Sequence, residues 1–201
     1  MPEITGLEVQ KNNKERANLY IDEKFYCGVS IELCVKYHLK KGAEINLAEL
    51  DDLILEDEKQ TAFNKAIKYT SSNLKTTSQI KDYLHKKGYN DNTISYVIDK
   101  MSEYKYLDDA GYAKAFIHTF SNKYGKMKLI SALKSKGISD YVIDDVFAEG
   151  VEMEDSILNV ANKYMKNKEV NSQTLEKLSR FLYSRGYEFD DINKVISDYR
   201  R

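Results

Sequence analysis

Three glycines, Gly88, Gly137 and Gly186, stand 49 residues apart both times. Each closes the same kind of run. The first is Leu84-His85-Lys86-Lys87-Gly88-Tyr89, the second Leu133-Lys134-Ser135-Lys136-Gly137-Ile138, the third Leu182-Tyr183-Ser184-Arg185-Gly186-Tyr187. A period of this size means stacked supersecondary units, none of which can bury its apolar face alone. The run reads as a helix stop. A helix that must turn sharply ends on a left-handed residue, which glycine adopts at little cost. Lysine or arginine before the glycine complements the negative end of the helix dipole, and the apolar residue after it can fold back onto the helix just left.

The apolar spacing supplies the rest of each unit. The second helix of a unit carries Ile80/Leu129/Leu178 and Leu84/Leu133/Leu182, four apart on one face. The third carries Ile94/Ile143/Ile192, Val97/Val146/Val195 and Ile98/Phe147/Ile196, the i, i+3, i+4 stripe of a helix packed on one side. The first carries Phe63, Ala66 and Ile67, which the period carries to Tyr112, Ala115 and Phe116 and then to Ala161, Tyr164 and Met165. Three-helix units are therefore expected over residues 58–107, 108–151 and 152–201. Asn90 and Ser139 are expected N-caps of the third helices; Glu188 is a poorer cap, so Asp190 is expected to open the third copy. At the first junction, Asp108 or Asp109 is expected to cap the helix that follows.

Residues 1–57 read differently. Ile4, Leu7 and Val9, then Leu19-Tyr20-Ile21, then Phe25-Tyr26-Cys27 alternate with turn-forming Lys11–Lys14 and Asp22–Lys24, so an antiparallel meander is expected. Such a small sheet needs a helix to pack on. Ser30 is placed to cap one running to about Leu39, with Gly42 ending it, and Asn46 with Glu49 a second, short helix to about Leu55. The fold class expected is mainly α, an elongated array of three tandem three-helix repeats with a small N-terminal β-strand and helix extension.

Charge divides along the same line. Residues 1–57 hold 7 Lys/Arg against 12 Asp/Glu, the remainder 24 against 20. An acidic head on a mildly basic body suits a body that meets an acidic partner. The candidate contacts are Lys81, Lys86 and Lys87 in the first unit, Lys123, Lys126, Lys128, Lys134 and Lys136 in the second, and Arg180 and Arg185 in the third. Between Lys123 and Lys136 there is no acidic residue. Regular stacking would align these cations along one surface.

Chemistry is hard to find. His38, His85 and His118 lack a second ligand at metal spacing, and no phosphate loop, nucleophile elbow or H-E-x-x-H occurs. Cys27 and Cys34 read as reduced, partly buried thiols. Tyr69, Tyr83, Tyr112, Tyr164 and Tyr183 fall on or beside apolar stripes and are expected to pack in the core or half-buried against it. No apolar run reaches the roughly 20 residues of a membrane span, and the N-terminus lacks a signal-like segment, so a cytoplasmic protein is expected. A helix-turn-helix reader would need base-reading polar residues opening the third helices, where Asp91-Asn92-Thr93 and Asp140-Tyr141 stand instead.

Several runs together resemble the bacterial RecX family, regulators of the RecA recombinase. They are Ser78 through Tyr89 with Ile94, Val97 and Ile98; Tyr106-Leu107-Asp108-Asp109; Tyr112-Ala113-Lys114-Ala115-Phe116; and Leu133 through Ile138. The head is similar to that of Gram-positive members in Ile4-Thr5-Gly6-Leu7-Glu8-Val9-Gln10 and Val35 through Gly42. The resemblance implies a non-enzyme without cofactors, made of three three-helix repeats behind an N-terminal extension. It implies a monomer that binds the groove of the RecA–DNA filament and suppresses ATP hydrolysis, strand exchange and SOS activity. Gly125-Lys126-Met127-Lys128 lies where the family carries a Gly/Arg/Lys-rich run. The near-neutral total charge shifts weight from tight contact with single- or double-stranded DNA toward protein contacts. The alternative is a helical-repeat protein that binds DNA independently of RecA.

Overall fold

The computed structural model describes residues 2–150 and 156–200, with three strands and ten helices among them. The expected opening of the third repeat at 152 lies outside the described residues. By its internal contacts the chain forms two compact units, Met1–Tyr69 with Leu84–Lys100, and Thr70–Tyr83 with Met101–Arg201.

The first unit opens with an antiparallel sheet of β1 (Ile4–Val9), β2 (Arg16–Ile21) and β3 (Lys24–Ser30), in that order. Alternation along β2 points Ala17, Leu19 and Ile21 inward, and with Ile4, Val29, Leu33, Cys34 and Leu50 they form this unit's core. Asp22 and Glu23 turn the β2–β3 hairpin with φ of 46° and 65°, the two positive angles that a tight turn between right-twisted strands requires. Ser30 caps α1 (Ile31–Lys36), its hydroxyl accepting the Leu33 amide at 2.9 Å. The helix stops three residues before the expected Leu39.

The expected short helix to Leu55 does not stop there. Asn46 accepts the Ala48 amide at 3.0 Å and contacts Glu49, and the helix it opens, α2, runs unbroken from Leu47 to Thr70. Nothing between Leu55 and Glu58 breaks a helix, and a net-acidic first half followed by Lys59, Lys65 and Lys68 suits the dipole. The sequence reading stopped at a change of charge, which a helix does not feel as a boundary. Glu58 ties α2 to α4 (Asp91–Glu103) by accepting the buried Thr93 hydroxyl at 2.9 Å. Asp57 does the same for the sheet by accepting both the backbone N–H and the hydroxyl of Ser30.

The second unit holds the start of α3 (Thr77–Lys86), then α5 (Asp109–Phe120), α6 (Lys126–Ser135), α7 (Asp140–Ala148), α8 (Ser156–Met165), α9 (Ser172–Ser184) and α10 (Phe189–Tyr199). Two cores lie inside it. Ala113, Ile117, Leu129, Leu133, Ile138, Ile143 and Val146 make one; Ala161, Met165, Leu175, Leu178, Leu182, Tyr187, Ile192, Val195 and Ile196 make the other.

The second and third helices of the repeats keep the 49-residue register as expected. The first helices do not. Their buried pairs are Ala62 and Ala66, Ala113 and Ile117, Ala161 and Met165. Ala115, which the period would bury, faces solvent. The connections between units differ in length, so the register is reset at each junction.

The three helix stops are the same structure. Gly88, Gly137 and Gly186 have φ of 87°, 77° and 85°. Each donates its amide to the residue three back at 2.9 Å, and Tyr89, Ile138 and Tyr187 donate to Leu84, Leu133 and Leu182 at 3.2, 3.2 and 3.3 Å. That pair of bonds is a Schellman cap. Asn90 and Ser139 cap the following helices. In the third copy α10 opens at Phe189 with Glu188 as its N-cap and no side-chain bond. It therefore starts one residue earlier than expected from Asp190, whose carboxylate instead sits with Asp191 in the first turn, where the dipole favours it.

Candidate partner interface

The first four N–H groups of a helix and its last four carbonyls have no partner within it. In the second unit the second helices of successive repeats satisfy one another. The Gly125 amide donates to the Arg185 carbonyl at 3.0 Å, and the Met127 amide to the Gly186 carbonyl at 3.1 Å. The C-terminal end of α9 thus caps the N-terminal end of α6, whose N-cap Gly125 makes no side-chain cap bond of its own. One repeat back, the Lys136 carbonyl at the end of α6 accepts the hydroxyl of Thr76, just before α3, at 2.7 Å. Thr76 stands 49 residues before Gly125 and Lys136 49 before Arg185, so one docking rule is used twice.

Close approach explains two of the glycines beyond their φ. A Cβ on Gly186 would overlap the Lys128 amide and stand 2.9 Å from the Lys128 Cα; one on Gly137 would overlap the Ser78 side chain. A Cβ on Gly88 would meet nothing within 4 Å.

Two residues at this junction escaped the sequence reading. Thr76 and Gln79 form a capping box: the threonine hydroxyl accepts the Gln79 amide at 3.2 Å and the Gln79 side chain accepts the Thr76 amide at 3.1 Å. The T-x-x-Q spacing was the available signal. Asp108 caps α5 through the Gly111 amide at 2.7 Å, as one of the two expected candidates. Its neighbour Asp109 caps the preceding repeat, accepting the Thr77 amide at 2.8 Å.

The candidate cations distribute around these junctions. Lys126 and Lys128 stand in the first turn of α6 and Lys123 in the turn before it, while Arg185 closes α9 against the same point; the three lysines are exposed. Lys134 and Lys136 lie at the far end of α6, against the start of α3, and Lys81 is exposed one turn inside α3. Arg180 is on α9, paired with Glu176. Lys86 and Lys87 are exposed at the other end of α3, in the first unit.

Several of these charges rest on rings. Arg185 lies 5.4 Å from the Tyr124 ring centroid and 5.0 Å from that of Phe181, Lys126 5.2 Å from Phe147, and Lys136 5.5 Å from Phe116. Such placement limits side-chain freedom while leaving donors for a partner. Lys134 is paired to Asp140 at 2.7 Å, an exposed bridge that a stronger anion can displace. Tyr183 departs from its expected core or half-buried position: it is 72% exposed, as Phe189 is 67%, on either side of Gly186.

Three groups of the first unit have displaced pKa values. Burial first, and the Asp51 charge second, push the Cys27 thiol up to about 11; burial also raises Cys34. The hydrogen bond to Asp51 raises the Tyr26 hydroxyl to about 12. Both cysteines are free thiols. Among the described residues no three His, Cys, Asp or Glu side chains converge as a metal site, and no helix is long and apolar enough to cross a membrane.

Family models match along the chain in the same order as the structural repeats. Residues 2–46 match the regulatory protein RecX N-terminal domain; residues 62–101, 108–146 and 152–196 match the first, second and third RecX three-helix domains. This chain belongs to the RecX family. A regulatory protein RecX of Clostridium tetani is 36% identical over 200 residues, covering 96% of this chain and 93% of its own. One from Staphylococcus saprophyticus is 36% identical over 204 residues, covering 98% and 74%. A crystal structure of a regulatory protein RecX shares the fold over 98% of this chain and 100% of its own, with a TM-score of 0.69 at 22% identity. That of RecX from Lactobacillus salivarius covers 72% and 98%, with a TM-score of 0.66. The family is one of regulatory proteins, and the mainly helical architecture with three three-helix domains and a small N-terminal sheet is its fold.

Proposed function

We propose that this chain regulates RecA by binding the groove of the RecA–DNA filament, lowering ATP hydrolysis and strand exchange without chemistry of its own. The observation that carries the reading is the set of cations at the α9–α6 and α6–α3 junctions, in a chain that matches RecX regulators along its length. Lys123, Lys126, Lys128 and Arg185 gather at one junction, and Lys134, Lys136 and Lys81 at or near the other. A surface that presents charge at regular intervals suits a partner that is itself periodic and anionic. Occupying the groove excludes a second duplex and opposes the subunit motions coupled to ATP turnover. The cytoplasm is where such a partner is met, and the chain acts there as a monomer. The test is RecA ATP hydrolysis on single-stranded DNA with increasing amounts of the protein: a stoichiometric fall supports the reading, and unchanged hydrolysis and strand exchange reject it.

A second reading is favoured by Tyr183 and Phe189, exposed beside the basic junction. Rings next to cations suit unpaired bases next to phosphates, so binding of DNA independently of RecA is the alternative. It requires tight binding to naked DNA with a steep salt dependence; weak, shallow binding favours the filament.

A further inference from the structure

The first unit contains a cleft that the proposed interface does not use. Its volume is about 700 Å³. One wall is the β1–β2 connection, another the start of α1, and the third the C-terminal half of α2. Lys14, Arg16, Lys65 and Lys68 line it. Four cations line one cleft, and two of them, Lys14 and Arg16, come from residues 1–57, which as a whole carry an excess of carboxylates, 12 against 7 Lys/Arg. In a concave surface such a local excess focuses the field on an anion.

Arg16 and Lys65 are held in place. Arg16 donates to the Gly28 carbonyl at 2.6 Å. Lys65 donates to the Tyr89 hydroxyl at 2.8 Å and lies 5.1 Å from the centroid of its ring. Cations fixed before binding lose less freedom on meeting a partner.

The rest of the lining decides which anion fits. Glu15 and Glu32 share the cleft with the cations. A string of phosphates, carrying charge at every unit, would bring some of them against these carboxylates. Asn13 and Asn64 also line it; their Oδ1 atoms accept the Glu15 amide and the Gln60 side-chain amide at 3.0 Å each, and their NH2 groups are donors. Amides of this kind match the alternating N–H and C=O groups of an extended backbone, and the cations match side-chain carboxylates spaced along it. We infer that this cleft binds an extended acidic peptide segment of a partner protein.

The site shares no residue with the α9–α6 and α6–α3 junctions, so it can be tested without RecA. The probe is a fluorescein-labelled peptide of alternating glutamate and serine, titrated with the full chain and read by anisotropy. Lys14→Glu with Lys68→Glu reverses two exposed lysines of the cleft. Asn64→Asp adds a carboxylate to the α2 wall and provides a second, milder variant. Saturable peptide binding is expected, weakened about tenfold or more by the double reversal and less by Asn64→Asp. Circular dichroism melting is expected to be unchanged, which separates loss of binding from loss of fold. Lys126→Glu with Lys128→Glu is expected to leave peptide binding intact. The proposal is overturned by absence of saturable binding, by binding that the cleft variants leave unchanged, or by oligothymidylate displacing the peptide at equal charge.

Discussion

Gly186→Ala and Gly88→Ala separate the backbone cost of a helix stop from the cost of docking one repeat on the next. Both glycines have φ near +86°, at 85° and 87°. Alanine in that conformation costs about 1 kcal/mol at either site. At Gly88 the cost ends there, because a Cβ meets nothing within 4 Å. At Gly186 the methyl overlaps the Lys128 backbone, so the start of α6 must withdraw. Withdrawal stretches the Gly125-to-Arg185 and Met127-to-Gly186 bonds, now 3.0 and 3.1 Å. Each is worth about 1 kcal/mol net, and more where the N–H that loses its partner stays out of water, as at buried Gly125. Gly186→Ala is therefore expected to cost about 3–4 kcal/mol against about 1 for Gly88→Ala. Urea unfolding gives the two values, and amide exchange locates the loss. Gly125 and Met127 should lose protection in Gly186→Ala and keep it in Gly88→Ala. Equal costs with unchanged protection of both amides would refute the docking account of the repeat.

The Gly137 contact should be repairable. Gly137→Ala collides with the Ser78 side chain, so adding Ser78→Gly should recover all but the cost of φ, about 1 kcal/mol, in a double-mutant cycle on unfolding free energies. Thr76→Val removes both an N-cap and the bond to the Lys136 carbonyl from a fully buried site; a loss of about 2–3 kcal/mol in unfolding free energy is expected, whereas Thr76→Ser should keep most of the stability. The Cys27 thiol is pushed up to about 11 from 9.0 by burial. The folded state then holds its proton more tightly than the unfolded one. That contribution is present below pH 9 and is lost as pH rises through about 11. Ellman's reagent at about pH 8 should label Cys27 far more slowly in the native protein than in urea.

The sequence carried the fold well where a local rule sufficed. The period of Gly88, Gly137 and Gly186 revealed the stops, and Ile143, Val146 and their equivalents revealed the third helices, because both depend on spacing within one element. Asn90, Ser139 and Ser30 were legible as caps for the same reason. What failed depended on partners distant in sequence. The unbroken α2 was hidden by a change of charge at Leu55–Glu58. The first-helix register slipped because the connections between repeats are not periodic, which placed Ala113 inside and Ala115 outside. Tyr183 looked like a core residue by its company, but its side of α9 meets solvent. Of the candidate interface, the lysines were visible as a run free of acidic residues. The end-to-end capping of α6 by α9 was not, since no spacing rule pairs the Arg185 carbonyl with the Gly125 amide. The rings beneath Arg185, Lys126 and Lys136 were hidden for the same reason.

The central claim is that the basic junctions of the repeats engage the RecA filament. It is tested most directly by comparing the wild-type chain with Lys126→Glu/Lys128→Glu in RecA ATP hydrolysis on single-stranded DNA. Both lysines are exposed in the first turn of α6, and neither side chain carries a hydrogen bond of the α9–α6 junction. The expected result is a fall in hydrolysis at stoichiometric wild-type protein, and at least about a tenfold higher concentration of the variant for the same effect. Equal inhibition by both proteins, or none by the wild type, would contradict the account.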